Sequence, residues 1–127
     1  MDVNGRNEIG GYDAIKKVVD YARDCAFDET KVNLRELYRK EKNRVFIREN
    51  NIRTDEIRNT LSRLRIEDYA YTSIEDGKTD AYVFGTQIEN LDVYLKFQIV
   101  NGIIMLSFHD PDRQLEYPLR KKGNIGR

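Results

Sequence analysis

The 127-residue chain has no tryptophan, one cysteine, one histidine, two prolines and two methionines. Each scarcity excludes something. One cysteine, Cys25, leaves no partner for an internal disulfide and no ligand set for a cysteine-based zinc finger, and it fits a reducing, cytosolic setting. One histidine, His109, gives Asp110 and Asp112 no second imidazole with which to build a metal site. No apolar run approaches the ~20 residues of a membrane-spanning helix, and the opening "MDVNGRNEIGG" has no signal-peptide core, so a cytoplasmic protein without a membrane partner is expected. Nor is there an excess of charge of one sign. The 22 basic residues balance 22 acidic ones, which excludes a bulk polybasic coat for nucleic acid or lipid. P-loop, GxGxxG, HExxH and GxSxG motifs are all absent, as are internal repeats and low-complexity stretches.

Charge is present in abundance, and it is segregated. Residues 31–66 carry 11 basic and 5 acidic side chains, whereas residues 67–112 carry 2 and 9, and residues 113–127 carry 5 and 1. The middle segment and the tail can therefore supply a local basic surface. By length the chain is one domain, with a helical N-terminal segment (1–43) and a basic tail (121–127). "YDAIKKVVDYARDCAF" places Ala14, Ile15, Val18, Val19, Ala22, Cys25 and Ala26 on one helical stripe, with Cys25 a buried thiol. "NLRELYRKEKN" (33–43) reads as a second helix and "RVFIRE" (44–49) as a short strand. Thr54 reads as the N-cap of a further helix with Ile57, Leu61 and Leu64 inward. "RIEDYAY" follows as a turn or short helix, and "IEDGKTD" as a polar loop.

From Asp80 the apolar period changes to two. "AYVFGTQI" (81–88), "DVYLKFQIV" (92–100) and "IIMLSFH" (103–109) predict three consecutive antiparallel strands, with "LEYPLR" (115–120) as an added edge segment. Helices followed by a meander indicate an α+β fold with the N-terminal helices packed on a C-terminal antiparallel sheet. Asn101-Gly102 is a strong two-residue hairpin signal. Such a turn pairs Val100 with Ile103, Phe97 with Leu106, Lys96 with Ser107 and Tyr94 with His109. Alternation then puts Leu95, Phe97, Ile99, Ile104, Leu106 and Phe108 on the core face, and Tyr94, Lys96, Gln98, Met105, Ser107 and His109 on the other.

Directly opposed side chains lie about 4.5–5.5 Å apart at Cβ, so a phenol, an ammonium, a hydroxyl and an imidazole share one patch. That set suits phosphodiester chemistry: imidazole moves a proton near neutral pH, ammonium stabilises a phosphorane, and phenol donates or orients. The competing reading is an ordinary solvent-facing sheet surface with a bystander histidine.

The hairpin "VYLKFQIVNGIIMLSFH", together with "EIRNTLSRLRIEDYAY" (56–71) and "AYVFGTQI", resembles the MqsR family of mRNA-interferase toxins, related to the RelE fold. The resemblance covers roughly residues 44–120 and leaves the N-terminal 43 residues unexplained. It implies a RelE-like fold and an endoribonuclease that needs no metal or other cofactor. Its substrate would be single-stranded mRNA, cleaved through 2′-hydroxyl attack, and its partner a neutralising cognate antitoxin. On that basis His109, Tyr94 and Lys96 are the expected catalytic residues, with Tyr71, Ser107, Arg113, Arg120 and Lys121 contacting RNA. Tyr94 matches the family's hairpin tyrosine. The family lysine after Ser-Phe is His109 here, a second family lysine falls on Tyr71, and a family glutamine falls near Val83. The alternative is an α+β module that binds RNA or protein without catalysis.

Overall fold

The computed structural model describes residues 6–74 and 79–120; the "IEDGKTD" loop (mostly) and the basic tail, Lys121 included, lie outside them. The architecture is α+β, as the change of period implies. A six-stranded sheet runs in the order β1-β3-β4-β5-β6-β2. Its strands are β1 (Arg6–Glu8), β2 (Val32–Asn33), β3 (Tyr69–Ile74), β4 (Ala81–Ile88), β5 (Leu91–Ile99) and β6 (Ile103–His109). All neighbours are antiparallel except β2, which runs parallel to β6. The four helices are α1 (Tyr12–Cys25), α2 (Arg35–Arg39), α3 (Glu41–Glu49) and α4 (Thr54–Ser62). Among the described residues no helix is long and apolar enough to cross a membrane.

The segment at 1–43 contributes more than helices, since both edge strands, β1 and β2, come from it. The expected edge strand at 115–120 does not form, and those residues are irregular. The strand expected at 44–49 is also wrong, because these residues belong to α3. The helical stripe there is Asn43, Phe46 and Ile47, all buried; its first member is polar, which hides the period. Thr54 is the first residue of α4 rather than its cap. Arg53 is the cap, and its N–H donates to the Glu56 carboxylate 2.8 Å away, satisfying one of the open donors at the helix start. "RIEDYAY" resolves into a 3₁₀ turn (Ile66–Asp68) and the start of β3.

The core lies between the helices and one sheet face. Tyr82, Phe84, Leu95, Phe97, Met105 and Phe108 share this face, with the Phe84 and Phe97 rings stacked at 5.5 Å. Met105, expected on the polar face, is fully buried, whereas Ile104 and Leu106, expected in the core, are only half-buried. The cause is a β-bulge. Near the turn Ile99 pairs with Ile103 and Phe97 with Met105; a register shift follows, and beyond it Lys96 pairs with Ser107 and Tyr94 with His109. The connection thus spans three residues between paired positions, with positive φ at Asn101 (52°) and Gly102 (120°). Gly102 has no alternative, since a Cβ there would lie 2.8 Å from the Lys31 carbonyl oxygen.

Candidate active site

The bulge inserts Leu106 and turns the end of β6 so that Ser107 and His109 join β5 on the outer face. A bulge leaves ladder groups unpaired, and buried ones are costly. Asn43, 1% exposed, satisfies them from α3. Its Nδ2 donates to the Leu106 carbonyl (3.1 Å) and the Leu37 carbonyl (2.9 Å), while its Oδ1 accepts from Phe108 N–H (3.0 Å). The buried amide therefore sets where the polar end of β6 points.

On the outer face Tyr71, Val83, Lys96 and Ser107 form one cross-strand row, and Gly85, Tyr94 and His109 form the next. The segment 113–118 lies over this face. A Cβ on Gly85 would sit 2.3 Å from the Tyr117 hydroxyl and 2.7 Å from Leu115 Cδ1, so only glycine admits the segment at this height. The cover explains why Ser107 and His109 are 6% and 8% exposed rather than solvated as a bare sheet face would be. What remains is a cleft of about 220 Å³ lined by Tyr71, Tyr94, Lys96, Ser107, His109, Asp112, Arg113 and Leu115.

All three expected catalytic residues therefore line one cleft, together with Tyr71, Ser107 and Arg113. Of the remaining two expected RNA contacts only Arg120 is described, and it does not line this cleft. Arg120 lies in a neighbouring cleft with Arg63 and Arg65, donating to the Glu67 carbonyl (3.1 Å) and resting 3.9 Å over the Tyr117 ring; Lys121 is outside the described residues. Sequence reasoning missed Lys42, which pairs with Asp112 of the cleft lining. Reading 33–43 as one helix and 44–49 as a strand put Lys42 and Asn43 at the end of a helix, whereas a break at Lys40 places both in the first turn of α3. Gly85, a lone glycine inside a strand pattern, was the available signal for a covering segment.

Inside the cleft the Tyr94 and His109 rings stack, with centroids 4.9 Å apart and planes at 12°. The Tyr94 and Tyr71 hydroxyls are 3.2 Å apart and hydrogen-bonded. His109 Nδ1 lies 2.8 Å from the Asp110 carbonyl oxygen. A carbonyl only accepts, so Nδ1 carries the proton in the neutral ring, and Nε2 is the nitrogen that takes one up. Burial pushes the imidazole below its ordinary 6.5, with Lys42 adding to the effect against the opposing Asp110 carbonyl and the Asp112 and Asp110 carboxylates. Lys42 also holds Asp112 below the usual carboxylate range, so this acid stays ionised and paired. At neutral pH the cleft presents a neutral proton acceptor, two linked phenols, a hydroxyl and the cations Lys96 and Arg113. Such a set can bind a phosphate and remove a proton from a nearby hydroxyl. Among the described residues no group of three His, Cys, Asp or Glu side chains is placed to hold a metal ion.

Compared with protein-family models, curated proteins and solved structures, the chain finds no match in any of the three.

Proposed function

We infer that the protein is an endoribonuclease acting on single-stranded RNA without a metal ion. The observation that carries this reading is the convergence of Tyr94, Lys96, Ser107, His109 and Arg113 on one covered cleft. His109 Nε2 takes the proton of an RNA 2′-hydroxyl, and the oxygen attacks its adjacent phosphorus. Lys96 and Arg113 stabilise the negative phosphorane. The P–O5′ bond then breaks with a proton supplied to the leaving oxygen by the Tyr94 phenol, which the Tyr71 hydroxyl orients. The products are a 2′,3′-cyclic phosphate and a 5′-hydroxyl. The lowered basicity of His109 supports its role as the base, since the neutral ring is the acceptor form at neutral pH.

This reading carries with it an mRNA substrate in the cytoplasm and a neutralising cognate antitoxin, as the MqsR resemblance implies. The test is turnover of single-stranded RNA in EDTA with end-group analysis. Cyclic-phosphate ends that vanish in His109→Ala are expected. Binding of RNA without turnover transfers the chain to the class of non-catalytic binding modules.

A further inference from the structure

A second, larger cleft of about 660 Å³ adjoins the first, and Tyr71, Arg113 and Leu115 line both. It opens between the segment 113–118 and the β1–β3 edge of the sheet. That edge is held in place: β1 pairs along β3, and the Tyr69 hydroxyl accepts from Gly10 N–H (2.9 Å) and hydrogen-bonds Thr72 Oγ1 (2.6 Å). The volume is within the about 300–1,000 Å³ usual for small-ligand sites.

The lining of this cleft differs from that of its neighbour. Beside the carboxylate of Glu116, this one has the apolar walls Ile9, Ala70, Leu115 and Pro118 and the aromatic rings of Tyr71 and Tyr117. Ile9 is 59% exposed, an aliphatic side chain left uncovered beside aromatic rings. Two exposed amides, Asn7 and Gln114, stand on the lining, and Arg113 marks the junction with the smaller cleft. Apolar and aromatic walls suit the faces of a flat heterocycle, and amides suit its donor and acceptor edge. A ligand that spans both clefts has a flat, weakly polar ring attached to a sugar phosphate.

We propose that the larger cleft is a nucleobase subsite, seating the base of the nucleotide whose phosphate occupies the Tyr94–His109 cleft. Its substrate class rests on the RNA-cleaving reading. Asn7 and Gln114 read the base edge, so they set base preference without touching the reacting atoms. Tyr71 links the two clefts, bordering the base on one side and hydrogen-bonding Tyr94 on the other.

The test is equilibrium binding of trinucleotides 2′-O-methylated at every ribose, which cannot be cleaved by 2′-hydroxyl attack. Five ligands carry each of the four bases or an abasic site at the centre, at one salt concentration. The abasic ligand is expected to bind about tenfold more weakly than the best base, the contribution of one stacked base. The four bases are expected to differ by about fivefold, the effect of one net hydrogen bond. Asn7→Ala/Gln114→Ala, two exposed positions, should erase the difference among bases and leave the abasic affinity unchanged. Equal binding of abasic and base-bearing ligands overturns the subsite, as does base preference that persists in the double variant. Base preference lost in the double variant, in a protein that cleaves no RNA, upholds the subsite and removes the nuclease reading. Failure of every ligand to bind overturns both.

Discussion

His109 is the one histidine of the chain, and its surroundings push it in opposing directions. Burial lowers its basicity most; the Asp110 carbonyl raises it, Lys42 lowers it, and the Asp112 and Asp110 carboxylates raise it. Because the folded-state value lies below the unfolded 6.5, the unfolded chain takes up this proton first as pH falls. The contribution to stability is therefore complete above 6.5 and is lost as pH falls through the folded-state value. Lys42→Gln removes a cation and releases Asp112, and both changes favour the imidazolium. The variant should titrate at higher pH than wild type and lose less stability on acidification. With one histidine in the chain, the imidazole Cε1 proton resonance reports this without ambiguity; an unchanged or lower midpoint means Lys42 does not act on the ring. The polar identity of this site was legible from strand alternation and one turn signal. Its burial was not, because the covering residues follow the hairpin in an irregular segment.

At the scale of elements, the hairpin shows where pattern reading succeeds and where it fails. The pairs Tyr94–His109 and Lys96–Ser107 were legible, and those between the bulge and the turn were not. Nothing in β6 itself announces the bulge, since Ile104, Leu106 and Phe108 alternate as a regular strand would. The bulge is braced by Asn43, 63 residues from Leu106 in the chain, and a contact of that range leaves no local signature. Met105→Ala should cost about 2–5 kcal/mol, as for a buried core side chain, and Leu106→Ala about 1 kcal/mol, as for one half-buried. Urea denaturation that ranks the two in the opposite order would restore the regular hairpin. Asn43→Leu strands the Phe108 N–H, at about 1–3 kcal/mol for a buried group left unpaired, leaves the Leu106 carbonyl to the Lys40 ammonium alone, and should also move the His109 resonance.

Across the whole molecule the α+β class was legible because the apolar period changes once, from helical to alternating, at Asp80. The edge strands were not, since β1 and β2 are three and two residues long and too short for any period to show. Charge balance hides a local bias that the fold concentrates, with Lys96 and Arg113 in the cleft and Arg63, Arg65 and Arg120 in the cleft beyond Gly85. RNA affinity should therefore fall with salt despite zero net charge, and Arg113→Gln should make the log–log slope about 0.7 shallower, as for one lost phosphate contact on a single strand. A slope unchanged in Arg113→Gln would remove this residue from the RNA path. The central claim, that this cleft cleaves RNA with His109 as base, is tested most directly by single-turnover cleavage of one single-stranded RNA across pH in EDTA at fixed salt. A base requires the rate to rise about tenfold per pH unit on the acid side and level off where His109 becomes neutral. That midpoint should lie below 6.5 and coincide with the imidazole titration, and His109→Ala should lose the limb along with most of the rate. Superimposable profiles for wild type and His109→Ala would contradict the account.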